Sequence, residues 1–301
     1  MVRDRPQHSE PYVGRFAPSP TGDLHFGSLV AAVGSYLQAR ARGGRWLVRI
    51  EDIDPPREVA GSAARILGDL RRYGMHPDGE VLYQSTRADA HAAAIAQLLA
   101  QGDAFPCACT RSMLPASGVY PGTCRARSVT VSTPGSIRLR VDHGPIAFTD
   151  RVMGRHAQDL AATVGDFVIR RSDGLPAYQL AVVVDDAEQG ITEIVRGADL
   201  LDSTPRQMLV HRRLGLTPPR YLHLPVAVNP DGSKLSKRLR SDPVNLTDPA
   251  DGLAAALRFL GHAPPAGLDL ARLWEWGHAH WDVARIPSRP TIAFCPDTLK
   301  H

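Results

Sequence analysis

Apolar positions along this chain fall into two kinds of pattern: short runs bounded by turn residues, and longer stretches at helical spacing. Tyr12 to Phe16 reads as a strand that enters a Pro/Gly turn, behind which Leu29, Val33 and Leu37 recur on one helical face. Trp46 to Ile50 is a second short strand, ending at Glu51. Pro55-Pro56 punctuates, and helices are predicted from about Val59 to Tyr73 and from Ala90 to Gln101. Alternating strands and helices predict an α/β fold with a doubly wound parallel sheet. Near Cys107 the pattern breaks into Cys-, Pro- and Gly-bearing loops, the mark of an insertion, with strand-like segments between 136 and 150. The nearly continuous apolar run Tyr178 to Val184 fits a parallel strand covered on both faces. Ser203-Thr204-Pro205 predicts a helix start with a hydroxyl cap and proline in first position, and Gly215 its stop. His223 to Val228 is the last clear strand. A small helical region follows over about 249–282, and residues 283–301 show little periodicity and are expected to be loosely attached. The expected division is 1–104 for the first half of the wound sheet, 105–176 for the insertion, 177–245 for the second half and 246–301 for the helical region.

Composition narrows the class. An apolar content of 43% over 301 residues is ample for a core and argues against disorder. No apolar run is long enough for a membrane span, and the polar Met1 to Pro11 segment lacks a secretory signal core. Four cysteines in so long a chain do not suggest a disulfide scaffold, so a cytoplasmic enzyme is expected. A net charge of +4 is compatible with a nucleic-acid partner without requiring one.

Two segments carry chemistry. The turn Pro18-Ser19-Pro20-Thr21-Gly22 leads into His25-Phe26-Gly27-Ser28 at a helix start. Unpaired backbone N–H groups and the helix dipole make such a terminus an anion site. Arg15 sits just before the turn, where the crevice of an open α/β sheet lies. About two hundred residues later, the Asn229-Pro230-Asp231-Gly232 turn precedes Ser233-Lys234-Leu235-Ser236-Lys237-Arg238. Three cations and two hydroxyls on a glycine-hinged loop suit a clamp on a polyphosphate. Either segment alone has a plainer reading, a loop glycine or a solvated charge run; the pairing favours phosphate chemistry.

With these two segments the chain resembles the class I aminoacyl-tRNA synthetases, whose HIGH and KMSKS signatures they match in the form used for glutamate. Arg49-Ile50-Glu51-Asp52-Ile53-Asp54, the segment Ala177 to Asp186 and Ile194-Val195-Arg196-Gly197-Ala198-Asp199 match the same group in order. Only about sixty residues follow the KLSKR loop, where glutamyl-tRNA synthetases continue into an anticodon-binding region. The resemblance is therefore to the glutamyl-queuosine tRNA(Asp) synthetase family, the stand-alone paralogue of that catalytic core. It implies a Rossmann-type catalytic domain, a zinc-bearing insertion, a small C-terminal helical region and no anticodon-binding domain. It implies ATP-dependent, tRNA-independent activation of L-glutamate and transfer to the queuosine base in the anticodon of tRNA(Asp).

The resemblance also implies roles. Arg15 and Arg196 would be the cations for glutamate's carboxylates, Glu51 the anion for its ammonium, and Tyr178 a hydroxyl, with Phe16, Ala17, Pro18 and Ser19 lining the turn. Taken singly, Arg196 could pair with Asp199 and Tyr178 could be a core aromatic. Glutamine would leave a buried arginine without its anion. His25, Gly27 and Ser28 would bind ATP, with His25 donating to the transferring phosphate; Lys237, assisted by Lys234, would meet the leaving phosphates, and Mg²⁺ would accompany ATP. The HIGH motif's last histidine is Ser28 here, and the clamp ends in Arg238 in place of serine.

Cys107, Cys109 and Cys124 lie within eighteen residues and favour one structural zinc, which can staple a segment with little core. The family uses a tyrosine oxygen as fourth ligand, matching Tyr120; water, His143 or Cys295 are the alternatives. A monomer is expected. Two other readings remain: a truncated glutamyl-tRNA synthetase charging tRNA(Glu), and a non-catalytic RNA-binding relic of a synthetase core.

Overall fold

A computed structural model describes residues 11–126, 135–232 and 248–294 of the chain. Strand β1 (Val13–Phe16) leads through the Pro/Gly turn into helix α1 (Phe26–Ala41), and β2 (Arg45–Ile50) returns parallel to β1. Helix α2 (Ser62–Arg72) crosses to the short β3 (Leu82–Tyr83), parallel to β2, and α3 (Ala88–Ala100) follows. Helix α2 begins three residues later than its periodicity suggests. Gly61 caps it in the left-handed conformation, and the Ser62 hydroxyl donates to Gly22 O at 2.6 Å, fixing the helix start against the turn.

The insertion starts at β4 (Ala104–Cys107), whose antiparallel partner is β5 (Ser136–Leu139). A hairpin of β6 (Pro145–Asp150) and β7 (Gly154–Asp159) follows, then the single turn α4 (Leu160–Thr163) and β8 (Phe167–Arg170), which pairs with β5. The wound sheet resumes with helix α5 (Tyr178–Glu188), β9 (Glu193–Gly197), α6 (Thr204–Leu214) and β10 (Arg220–Leu224), which lies parallel to β9. Thr192 N–H donates to Val13 O at 2.9 Å, and Thr192 Oγ1 accepts from Val13 N–H at 3.0 Å. These bonds set β9 beside β1, in the spatial order β3-β2-β1-β9-β10. The chain winds one way from β1 and the other way from β9, so the switch point and its crevice lie between those two strands.

The expected strand from Tyr178 to Val184 is instead helix α5. Leu180, Ala181, Val182 and Val183 are all buried, and so are Asp185 and Asp186. A helix buried on most of its faces shows the same unbroken apolar run as a buried strand, so periodicity does not separate them. The distinguishing signal lay at the C-terminus. Gly190 adopts φ +66°, and Ile191 N–H reaches back to Asp186 O at 2.9 Å, closing the helix in a left-handed turn.

Three further expectations change. Ser203 starts α6 as expected, but its hydroxyl does not cap the helix: it accepts from Gln179 Nε2 at 3.1 Å. Gly215 does end that helix in the left-handed conformation. Pro225 lacks an N–H and splits the last strand, so β10 ends at Leu224 and β11 (Val226–Val228) is separate. After α7 (Pro249–Phe259) and α8 (Leu270–His280), β12 (Thr291–Ala293) pairs parallel with β11. Phe294 then packs on Phe26 with ring centroids 4.3 Å apart, so the segment up to 294 is tied to the core and not loosely attached. The main core gathers α1, the wound sheet, α2, α7 and α8 into one apolar cluster; a second cluster joins α3, α5 and α6 to the insertion. Among the described residues no helix is long and apolar enough to cross a membrane.

Candidate active site and a cysteine cluster

The crevice between β1 and β9 opens as a cavity of about 610 Å³, within the range of ligand pockets. Its lining includes Arg15, Phe16, Ala17, Pro18, Ser19, His25, Gly27, Ser28, Glu51, Tyr178 and Arg196, every residue expected from the sequence to bind glutamate or ATP that lies among the described residues. Lys234 and Lys237 lie outside the described residues.

At one end stands the N-terminus of α1. His25 is its N-cap, with extended backbone, and its Nδ1 accepts from Ser28 N–H at 3.2 Å. That bond leaves the proton on Nε2, which meets Ser28 Oγ at 3.0 Å. The ring lies back over the first turn because position 27 is glycine: a Cβ there would stand 3.3 Å from Cε1 and Nδ1 of His25. The result is a ring N–H beside the open N–H groups of a helix start, an arrangement suited to a phosphate.

At the other end charges alternate. β1 presents Arg15, Glu51 directly follows β2, and α5 brings Tyr178 and, two turns on, Asp186. Arg15 Nε donates to Asp186 Oδ1 at 3.1 Å and its NH1 to Val195 O at 3.4 Å. Arg49, fully buried, donates to Asp186 Oδ1 at 2.7 Å, to Gln189 Oε1 at 2.7 Å and to Glu51 Oε1 at 3.3 Å. Burial alone would raise the Asp186 carboxyl; Arg15 and Arg49 outweigh it and hold it below the usual carboxylate range. For Glu51 burial wins. Its carboxyl is pushed up, with Arg49 and Arg15 only partly compensating, so an arriving ammonium group would complete its neutralisation. Burial, and after it the Glu51 charge, also raises the Tyr178 phenol, keeping it a neutral donor.

Arg196 is held differently. Its Nε donates to His223 Nε2 at 3.0 Å, and its NH2 donates to Thr204 Oγ1 at 2.9 Å and Leu200 O at 3.3 Å. Its NH1 is buried without a partner among the described residues, in a side chain that lines the cavity.

Sequence reasoning missed Arg49, Asp186, His223, Asp150 and Thr204. The readable signal was charge inside apolar strands and helices: a buried charge demands a partner, so Arg49 in β2 and the Asp185-Asp186 pair required one. The two aspartates diverge. Asp186 serves the cavity, whereas Asp185 accepts from Gln84 Nε2 at 2.8 Å and meets His91 Nε2 at 3.1 Å, tying α5 to α3.

In the insertion, the Sγ atoms of Cys107, Cys109 and Cys124 lie within 4.8 Å of one another and form no disulfide. Cys109 and Cys124 are 3.5 Å apart, and Tyr120 Oη stands 3.5 Å from Cys107 Sγ and 4.0 Å from Cys109 Sγ. Four ligands about 2.3 Å from one tetrahedral zinc would place sulfurs roughly 3.8 Å apart, so the donor set fits that ion in size and softness. His143 is not in the group, and Cys295 lies outside the described residues. Arg138 lays its guanidinium 4.0 Å above the Tyr120 ring and donates from Nε to Cys107 Sγ at 3.3 Å. Burial opposes thiolate formation at Cys107, but bonds from Tyr120, the backbone and Arg138 draw it down to about 7; at Cys109 burial and the neighbouring sulfurs push the thiol up to about 11.

The model of the family "tRNA synthetases class I (E and Q), catalytic domain" matches residues 12–117 and 125–262. A glutamyl-Q tRNA(Asp) synthetase of Pseudomonas aeruginosa is 57% identical over 285 residues, covering 93% of this chain and 97% of its own length. One from Chromobacterium violaceum is 53% identical over 287 residues, covering 93% and 96%. The crystal structure of glutamate-tRNA synthetase from Elizabethkingia anophelis has a TM-score of 0.82 at 27% identity, covering 97% of this chain and 69% of that one. The expected fold class therefore stands, and the chain belongs to the ligases of the class I tRNA synthetase family, among the glutamyl-Q tRNA(Asp) synthetases.

Proposed function

We propose that the chain activates L-glutamate with ATP, without tRNA, and transfers the glutamyl group to the queuosine base in the anticodon of tRNA(Asp). The observation that carries this is the convergence of Arg15, Arg196, Glu51 and His25 on one cavity: two cations and an anion at one end, a helix N-terminus with a ring N–H at the other. Glutamate carries that charge complement, two carboxylates and one ammonium, and ATP supplies the anion for the helix end.

In the first step an α-carboxylate oxygen attacks the α-phosphorus in line. The bond from the α-phosphorus to the bridging oxygen breaks, and pyrophosphate departs; Mg²⁺ would accompany ATP and neutralise part of its charge. The chain's own contribution is alignment and charge neutralisation: His25 Nε2–H turns from Ser28 Oγ to the transferring phosphate, and Lys237 and Lys234 meet the leaving phosphates. In the second step a hydroxyl of the queuosine cyclopentene ring attacks the acyl carbon, and AMP leaves. The anhydride is already activated, and no side chain is assigned as its base. Glutamine would be rejected because its neutral amide leaves a buried guanidinium without an anion, a cost of about 1–3 kcal/mol.

Cys107, Cys109, Cys124 and Tyr120 would hold zinc; three thiolates and a phenolate close the coordination shell, so the ion's contribution is to cross-link the insertion. That the relatives from Pseudomonas aeruginosa and Chromobacterium violaceum are glutamyl-Q tRNA(Asp) synthetases supports the queuosine acceptor. The test is transfer of labelled glutamate to purified tRNA(Asp) with and without queuosine, with tRNA(Glu) as control. Alkali-labile label confined to queuosine-bearing tRNA(Asp) is expected. Label on tRNA(Glu) regardless of queuosine would make this a minimal charging enzyme instead.

A further inference from the structure

Arg196 offers the cavity one nitrogen, and the reason lies outside the cavity. A guanidinium has five N–H groups in one plane. The Nε–H goes to His223 and the NH2 hydrogens go to Thr204 and Leu200, so three of the five are spent behind the pocket and the two on NH1 remain. The bond to His223 requires a lone pair on His223 Nε2. That is secured by Asp150, whose Oδ2 accepts from His223 Nδ1–H at 2.7 Å and from His223 N–H at 3.0 Å, while its Oδ1 accepts from Val152 N–H at 2.9 Å and Met153 N–H at 2.8 Å. An ionised, fully bonded carboxylate can only accept, so the imidazole must carry its proton on Nδ1 and face Arg196 with a bare Nε2. Both Asp150 and His223 are essentially closed to solvent. Asp150 ends β6, in the insertion's hairpin, His223 lies on β10 and Arg196 on β9, so the relay runs from the insertion to the pocket wall.

We infer that Asp150 and His223 are positioning residues for substrate recognition: they fix the histidine tautomer that clamps Arg196, so that NH1 alone is presented to a carboxylate of the amino-acid substrate. This rests on the reading that the cavity takes glutamate. A clamp of this kind matters twice. It removes the rotamer freedom that an arginine would otherwise lose on binding. It also leaves NH1 as the one nitrogen turned to the substrate, so a neutral amide supplies it an oxygen acceptor but no counter-charge.

Two substitutions at one position separate the halves of the relay. His223→Asn keeps a donor for Asp150 but has no acceptor in reach of Arg196, whereas His223→Gln restores an acceptor near the Nε2 position. In tRNA-independent pyrophosphate exchange, His223→Asn is expected to raise the KM for glutamate about ten- to a hundredfold, the worth of one hydrogen bond to a charged group, with the KM for ATP within about twofold. His223→Gln should recover most of that loss. Thr204→Val, nearly isosteric, should show the same one-sided shift at about three- to tenfold, and gives a reading should the Asn variant fold poorly. Equal rises in both KM values, indistinguishable Asn and Gln variants, or an unchanged glutamate KM in Thr204→Val and His223→Asn would overturn the inference. Absence of glutamate-dependent exchange in the unsubstituted chain would instead fail the glutamate reading itself, and the inference with it.

Discussion

The cavity and the cysteine cluster are held by opposite means. Behind the cavity stands the main apolar core, running from Tyr12 just before β1 to Phe294 just after β12, with Phe26, Leu29 and Trp46 among its fully buried members. Among the described residues the cluster has only Phe105, Cys107, Tyr120 and Cys124 as its buried apolar group, with the partly buried Cys109 and Leu114 against it. Apolar burial fixes strand ends, and strand ends fix Arg15, Glu51 and Arg196. A segment with so few apolar contacts needs a cross-link, and three sulfurs and a phenol in one place are suited to supply it. The contrast teaches that the pocket residues stand on the large apolar core, while the thinly cored insertion carries the donor set that a metal cross-link would use.

The contrast is sharpest if the chemistry can be removed without loosening the core. His25→Asn keeps an oxygen to cap α1 but loses the ring N–H. Pyrophosphate exchange is expected to fall roughly a hundred- to a thousandfold while the melting temperature stays nearly constant. The converse experiment is Phe294→Ala, which removes a ring packed on Phe26 and Phe259. Chemical denaturation should show a loss of about 3 kcal/mol, with metal content by atomic emission unchanged.

Acid should act on the core through His211. Burial is the main cause that lowers its pKa, to about 4, with the Asp186 charge pulling the other way. The unfolded chain, titrating near the ordinary 6.5, therefore takes up the proton first. Stability from the neutral ring is whole above about pH 6.5 and is lost as pH falls toward 4. That loss is worth about 1–3 kcal/mol; His211→Gln should flatten the pH dependence of unfolding over this window. The smallest effect is expected from the other region. Cys124→Ser should lower zinc content and slow transfer to tRNA by about tenfold, while tRNA-independent exchange stays within about threefold. Equal losses in both steps would join the two regions that the comparison separates.

How much of this was legible in the sequence follows the same division. The strand, turn and helix around His25, the position of Glu51 at a strand end and the α6 boundaries could be read locally, because turn and cap chemistry is local. Helix α5 could not, since its burial on most faces erases the period that names a helix, and Gly190 was the overlooked signal. The partners of the pocket residues were also hidden. Asp150 is 73 residues from His223, and Asp186 is 171 from Arg15, so only the fold brings them together. The cysteine spacing pointed to a donor set of the kind that holds a metal, but whether Tyr120 joined it depended on a loop closing, which places its Oη 2.8 Å from Cys124 N. The C-terminal strand β12 carried too little pattern for prediction and is held in place by pairing with β11.

The central claim is that Arg15, Arg196 and Glu51 form a self-sufficient glutamate site beside the helix end that takes ATP. Pyrophosphate exchange without tRNA, run with L-glutamate and L-glutamine in parallel, tests it most directly. The account predicts exchange with glutamate and a response to glutamine at least about tenfold weaker. Exchange that requires tRNA, or that proceeds equally with glutamine, would contradict it.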